Sequence, residues 1–134
     1  YRAKTRYFNT FASSPLQAAA GNAVLDVIEE EQLAANAQKV GAYRRSELES
    51  LVGKSPHFAE VRGNGLFLGL EWVKDEDNQE PDRDGAIQMV NALKDKGFLT
   101  SNAGAFNNII KIRPPLVFAQ KHADHFLQVF AECL

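Results

Sequence analysis

The sequence predicts an α+β fold in which helices cover a small antiparallel or mixed sheet. Three observations support this: a long amphipathic helical pattern in the first third, short apolar runs bounded by glycines and prolines further on, and an amphipathic pattern at the end. The expected order is helix, helix, strand, helix, strand, strand, helix. With 134 residues, the chain is long enough for one domain with a hydrophobic core.

The first helix is expected to begin at residues 14–17, which read SPLQ. This is a capping-box pattern, with Ser14 at the N-cap, Pro15 at the first helical position and Gln17 reaching back. The apolar residues that follow have the spacing of one helix face: Leu16, Ala19, Ala20, Ala23, Val24, Val27 and Ile28. The glutamates at 29–31 predict a solvated helical turn or a break.

A second helical stripe runs over residues 33–52, with Gly53 as the predicted stop. Residues 66–73 are an apolar run bounded by glycines before and charges after, which predicts a mostly buried strand. A polar loop at 75–84 then leads into a third helix at 86–96.

The last third of the chain contains two shorter strands and a helix. Strands are predicted at 98–101 and 109–112, separated by a turn-rich loop. Pro114 and Pro115 cannot continue a ladder of hydrogen bonds, so they end the second of these strands. Residues 120–134 are predicted to form the final helix.

Composition and charge exclude several classes of protein. The net charge is −2, from 15 basic and 17 acidic residues, and no clustered basic face suggests nucleic-acid binding. No apolar run approaches the ~18 residues of a membrane span. The start is basic without an apolar run behind it, so no signal peptide is expected, and the missing initiator Met suggests a fragment or a processed product. The single cysteine, Cys133, fits a reducing compartment, and a cytoplasmic location is expected.

The glycines in GNGLFLG superficially resemble a dinucleotide-binding fingerprint. The third glycine, Gly69, comes one residue late, and a strand follows where a helix is required. We therefore predict a tight turn that enters a strand.

Three other patterns lack the residues that a site would need. The acidic loop that starts at Asp75 has no glycine at position six of a calcium loop and no glutamate at position twelve. His122 and His125 share a helix face but have no third ligand group in view, so we interpret them as surface residues. Cys133 has no basic neighbour that would activate it and is interpreted as structural or inert.

Two features indicate ligand binding. Thr10, Ser13 and Ser14 place hydroxyl groups at a helix start, where free N–H groups and the helix dipole attract anions. The same pattern also describes an ordinary self-capped helix. Arg113 ends a strand on two prolines, which suits a bidentate grip on a carboxylate; a solvated arginine at a sheet edge has the same spacing.

Three stretches resemble, in this order, the C-terminal part of class III aminotransferases. They read YFNTFASSPLQAAAGNAVLDVIEEEQL, VRGNGLFLGLEWVKD and NIIKIRPPLVF. These enzymes depend on pyridoxal phosphate and have fold type I, and the resemblance covers nearly the whole chain. It is strongest to the group of alanine–glyoxylate aminotransferase-like enzymes and related phospholyases.

The resemblance implies that residues 1–14 are a loop from a large domain and that residues 15–134 form the C-terminal small domain. This domain has a mostly antiparallel sheet preceded by a long interdomain helix. The lysine that forms the Schiff base lies upstream in the family, and Lys4 is not in that motif. The resemblance therefore implies that this chain has no catalytic residue and is inactive alone.

The resemblance also assigns two binding residues. Thr10 corresponds to the threonine that contacts the phosphate of pyridoxal phosphate in the neighbouring subunit of a homodimer, and Arg113 to the arginine that binds the substrate carboxylate. Ala12, Ser13 and Ser14 stand where the family usually has Gly-Gly-Asn. The implied function is transfer of an amino group from a small amine donor to a 2-oxo acid or aldehyde. A phospholyase acting on a phosphorylated amine, and a free-standing α+β ligand-binding module, are the alternatives.

Overall fold

The computed structural model describes residues 9–10, 14–75 and 77–134. The predictions for Lys4, Ala12 and Ser13 lie outside these residues. The chain divides into two compact units, Tyr1–Leu33 and Ala34–Leu134. None of the helices in the described ranges combines the length and hydropathy needed to cross a membrane.

The first unit contains helix α1 (Pro15–Glu30). Ser14 is the N-cap residue, as predicted, and its carbonyl oxygen accepts the N–H of Ala18 at 3.0 Å. The predicted capping box is wrong, because the Ser14 side chain makes no capping hydrogen bond. Pro15 fixes the first helical φ and has no N–H to satisfy, so the main chain defines the start without the hydroxyl.

The predicted break after α1 is confirmed by Gln32, which has a φ of 51°. Its main-chain N–H donates back to the carbonyl oxygen of Glu29 at 3.2 Å. The predicted apolar face is largely exposed in the described chain: Leu16 is 80% exposed and Val24 59%.

The remaining elements alternate between helices and short strands. In chain order they are α2 (Leu33–Glu49), β1 (Phe58–Asn64), β2 (Phe67–Trp72), α3 (Arg83–Asp95), β3 (Ser101–Ala103), β4 (Ile109–Ile112) and α4 (Gln120–Cys133). The strands form one antiparallel sheet in the order β1-β2-β4-β3. The predicted α+β class with a small antiparallel sheet is thereby confirmed.

Strand β1 was not predicted, because its sequence does not alternate. Only Phe58 and Val61 are buried, and they are three residues apart since the register shifts between Phe58 and Glu60. β1 pairs with β2 as a hairpin whose turn contains Gly65. This confirms the predicted tight turn before the β2 strand.

Three predicted boundaries were wrong. Helix α2 ends at Glu49, before the predicted 52. Helix α3 begins at Arg83, before the predicted 86, because the Asp82 carboxylate accepts the N–H of Gly85 at 3.0 Å and caps the helix inside the polar loop. Strand β3 begins at Ser101 and not at 98, because the N–H of Phe98 still donates to α3 at Leu93, 2.8 Å away.

The hydrophobic core of the second unit lies between one face of the sheet and helices α2, α3 and α4. Phe58 is at its centre, with its ring centroid 6.1 Å from that of Trp72 and 5.6 Å from that of Phe130. The other buried core residues come from α2, strands β1, β2 and β4, α3 and α4: Leu48, Val61, Leu68, Leu70, Ala86, Met89, Leu93, Ile110, Ile112, Phe126, Leu127 and Val129.

The backbone of helix α2 packs directly against the backbone of the β1–β2 turn. A Cβ atom on Gly41 would lie 2.2 Å from the carbonyl oxygen of Gly65, so only glycine fits at this position of the helix. Arg44 Nη2 donates to the Leu66 carbonyl oxygen at 2.8 Å, and Arg45 Nη1 donates to the Gly63 carbonyl oxygen at 3.1 Å. The helix therefore fixes the turn in place.

We predict that Gly41→Ala lowers the free energy of unfolding by about 1–3 kcal/mol, because the new methyl group overlaps the Gly65 carbonyl. The measurement is urea unfolding followed by the fluorescence of Trp72, the single tryptophan. The matched control is Gly21→Ala in α1, where the methyl group meets no atom within 4 Å and helix propensity favours alanine. A Gly41→Ala protein as stable as the unchanged chain would contradict the close approach.

Candidate functional site

Arg113 is placed by the end of β4 and by the prolines that follow it. β4 ends at Ile112, so the predicted stop at Pro114 and Pro115 is confirmed. The side chain of Arg113 is exposed, and its Cζ lies 5.9 Å from the centre of the Phe67 ring. This cation–π contact orients the guanidinium group without using any of its N–H donors.

An open cavity of about 500 Å³ lies beside Arg113. Its walls come from the first turns of α2, from the β1–β2 hairpin and from the segment after β4. The residues that line it are Ala34, Ala37, Gln38, Asn64, Gly65, Leu66, Phe67, Arg113, Pro114 and Leu116. Arg113 is the one charged residue among them, so the lining suits a ligand that carries an anionic group.

The segment after Arg113 is tied to helix α2 by one asparagine. Asn36 Nδ2 donates to the carbonyl oxygens of Leu116, at 2.8 Å, and Phe118, at 3.1 Å. The N–H of Phe118 also donates to the carbonyl oxygen of Pro115, at 3.0 Å. These bonds hold the segment in a defined turn and restrain the main chain that follows Arg113.

Thr10 belongs to the first compact unit, and Arg113 belongs to the second. It is exposed and lies in a turn four residues before the N-cap of α1. The Ser14 hydroxyl makes no capping bond and is therefore available. Hydroxyl donors at a helix N-terminus are a donor set that fits a phosphate group.

Sequence reasoning missed Arg44, which is 0% exposed. Its Cζ lies 5.5 Å from the centre of the Phe118 ring. Burial lowers the pKa of the guanidinium to about 10, so it stays protonated at neutral pH. A signal was present in the sequence: Arg44 lies four residues after Val40 and four before Leu48, in the apolar stripe of α2.

His122 and His125 are exposed, as predicted. His122 Nδ1 accepts the N–H of Ala119 at 3.0 Å, and the ring of His125 lies 5.1 Å from that of Phe98. Hydrogen bonds from Asn78 lower the pKa of Asp75 in the acidic loop. Within the described ranges, no group of three histidine, cysteine, aspartate or glutamate residues could hold a metal ion.

Comparison with known proteins identifies the family. The sequence model for Aminotransferase class-III matches residues 4–134. The chain belongs to the class-III aminotransferase family. Enzymes of this family generally depend on pyridoxal phosphate.

Relatives within the family include both aminotransferases and phospholyases. The chain is 41% identical over 129 residues to an alanine–glyoxylate aminotransferase 2-like protein of Drosophila melanogaster, covering 96% of the chain and 26% of that protein. It is 38% identical over 117 residues to an ethanolamine-phosphate phospho-lyase homologue of Caenorhabditis elegans, covering 87% and 25%. The solved structure of an Arthrobacter phospholyase in complex with phosphoethanolamine superposes with a TM-score of 0.89 at 35% identity, covering 98% of this chain and 31% of that one. The chain thus spans about a quarter of the length of the relatives it matches.

We predict that Asn36→Asp loosens the segment after Arg113, because a carboxylate cannot donate to the two carbonyl oxygens and is repelled by them. The amide of Phe118 should exchange its hydrogen about tenfold faster, as expected for a loss of roughly 1–2 kcal/mol. The matched control is Asn91→Asp at an exposed position of α3. Equal exchange at Phe118 in the two variants would show that Asn36 does not hold the segment.

Proposed function

We propose that the chain is the small C-terminal domain of a pyridoxal-phosphate-dependent aminotransferase that transfers an amino group from a small amine donor to a 2-oxo acid or aldehyde. The observation that supports this most directly is the placement of Arg113 at an open cavity with no other charged lining, in a chain that the class-III family matches over residues 4–134. The family match also favours an enzyme over a free-standing ligand-binding module. A cytoplasmic location stays a prediction.

In this proposal, Arg113 binds the substrate carboxylate. A guanidinium offers two parallel N–H donors that match the two carboxylate oxygens. Phe67 supports the guanidinium group, and Pro114 restricts the main chain that follows it. A side chain already restrained in this way loses less conformational freedom when substrate binds, which favours affinity.

Thr10 serves the cofactor in the same proposal. Its exposed hydroxyl donates to the phosphate of pyridoxal phosphate held by the partner subunit of a homodimer. When bound, the cofactor supplies the electron sink for the bonds of the amino-bearing carbon. The catalytic lysine belongs to a larger cofactor-binding domain outside residues 1–134, so this chain alone is expected to be inactive.

A phospholyase is the second candidate, and a specific likeness favours it. The structure of the Arthrobacter phospholyase in complex with phosphoethanolamine superposes with a TM-score of 0.89. A guanidinium binds phosphate oxygens through the same fork that it offers to a carboxylate. Arg113 would then bind the phosphate of the substrate.

One assay separates the two candidates. The full-length enzyme is incubated with pyridoxal phosphate and with either alanine plus glyoxylate or phosphoethanolamine alone. Amino transfer without release of inorganic phosphate supports the aminotransferase. Release of inorganic phosphate from phosphoethanolamine, without amino transfer, overturns it in favour of the phospholyase.

We predict that Arg113→Ala in the full-length enzyme, with Arg113 and the bound carboxylate forming a buried pair there, raises KM for a carboxylate substrate by roughly thirtyfold to several thousandfold, the equivalent of about 2–5 kcal/mol. The assay is steady-state kinetics with a carboxylate amino donor. The matched control is Arg83→Ala, which removes an exposed arginine from the start of α3 and should leave KM unchanged. An unaltered KM in Arg113→Ala would remove Arg113 from the binding site.

We predict that Thr10→Ala weakens the retention of pyridoxal phosphate by about tenfold to a hundredfold, since a hydrogen bond to a charged phosphate contributes roughly 1.5–3 kcal/mol. The measurement is the dissociation constant of the cofactor in the full-length enzyme. Thr10→Ser keeps the hydroxyl and should retain near-normal affinity. If both variants bind the cofactor like the unchanged enzyme, Thr10 makes no phosphate contact.

A further inference from the structure

A second, smaller cavity lies on the core side of Arg113. Its volume is about 90 Å³, and it lies between α2, the segment before β3 and the end of β4. Most of its wall is apolar, from Phe98, Ile112, Phe118 and Phe126. The rest of the lining is Leu99, Pro114 and three polar side chains: Arg44 and Thr100, which the proposed function does not use, and Arg113.

The side chains of Arg44 and Thr100 both have buried polar atoms without partners. Nε and Nη1 of Arg44 and Oγ1 of Thr100 make no hydrogen bond within the part of the chain that the structure describes. The hydrogen bond of Arg44 to the Leu66 carbonyl oxygen uses only Nη2. Buried polar groups in folded proteins nearly always have a partner, so three unpaired atoms in the residues that line one small cavity indicate a binding site.

The charge of Arg44 is a second observation that indicates a bound ligand. No carboxylate within the described ranges forms an ion pair with it, although the residue is fully buried. An uncompensated charge in an apolar interior is strongly destabilising. The Phe118 ring at 5.5 Å offsets this only in part, because a cation–π contact is much weaker than an ion pair in the same surroundings.

We propose that this cavity binds a small monovalent anion of chloride size, held by Arg44 and the Thr100 hydroxyl. The single charge of such an anion neutralises the charge of Arg44. A water molecule would satisfy the N–H groups of Arg44 but leave its charge uncompensated. A water molecule occupies about 30 Å³ in the liquid, so about 90 Å³ accommodates a single small ion with one or two waters. Arg113 also lines this cavity, but it is exposed, so the one buried charge is that of Arg44, and a divalent oxyanion would leave an excess of buried negative charge.

The bound anion would join three parts of the fold. Arg44 is on α2, Thr100 immediately precedes β3, and Ile112 ends β4. The anion therefore stabilises the junction from which the Arg113 main chain emerges. Arg113 lines both cavities, but the anion is held by Arg44 and Thr100, which the proposed activity does not use.

The location is tested by soaking crystals of the full-length protein in sodium bromide and measuring anomalous diffraction at the bromine edge. We expect an anomalous peak within hydrogen-bond distance of Arg44 Nε or Nη1 and of Thr100 Oγ1. A cavity that contains only water, with no anomalous peak, would overturn the proposal.

The binding is tested by thermal unfolding of the same protein at constant ionic strength, with chloride replacing gluconate. The midpoint should rise with the logarithm of the chloride concentration once this exceeds the dissociation constant, by roughly 1–2 °C at about ten times the dissociation constant. Thr100→Val should reduce the apparent chloride affinity, whereas Thr100→Ser should retain it. Arg44→Met should abolish the rise, and Arg45→Met, at an exposed neighbour, should not. A rise that persists in both Arg44→Met and Thr100→Val, or an equal response to sulfate, would contradict a monovalent anion at this cavity.

Discussion

The backbone contact between Gly41 and Gly65 is the constraint on which this fold most depends. It places the backbone of α2 directly against the backbone of the hairpin turn. A Cβ atom at position 41 would overlap the Gly65 carbonyl oxygen. At that distance, Arg44 and Arg45 can each reach a carbonyl oxygen of the turn. The turn is thus set by a helix that begins some thirty residues earlier in the sequence, and β2 starts from a fixed point.

The same helix also positions the other wall of the candidate site. Asn36, one turn before Gly41, holds the segment that follows Arg113. The contact at Gly41 therefore positions the hairpin wall of the cavity, which includes Phe67. The hydrogen bonds of Asn36 position the opposite wall, which follows Arg113. Arg113 lies between two segments that one rigid element supports, which is the arrangement that a binding residue requires.

Arg44 follows Gly41 by three residues on the same helix, and its contribution to stability differs from its contribution to specificity. A fully buried guanidinium contributes little net stability, because its desolvation offsets its interactions. Its bond to the Leu66 carbonyl oxygen is nevertheless directional, and an apolar residue at this position could not make it. Arg44 therefore favours one position of the helix relative to the hairpin. The proposed anion would neutralise the charge that this arrangement leaves buried.

The sequence predicts the elements with strong periodicity better than it predicts their ends. α4 and β4 match their predicted ranges closely, because a helical stripe and an apolar run stopped by two prolines are local signals. β1 was missed because its bulge breaks the alternation, and the start of α3 because Asp82 looks like any other loop residue until its hydrogen bond to Gly85 is seen. Arg113 and Thr10 were singled out from sequence, whereas the cavity beside Arg113 depends on contacts between residues some eighty positions apart, which no local pattern encodes.

A crystal structure of the full-length enzyme with a bound carboxylate substrate analogue would test the central claim, that Arg113 binds the substrate, most directly. We predict that both carboxylate oxygens lie within about 2.7–2.9 Å of the Arg113 guanidinium nitrogens, with the Phe67 ring still stacked against it. A carboxylate bound to other residues, with Arg113 remaining in solvent, would contradict the claim.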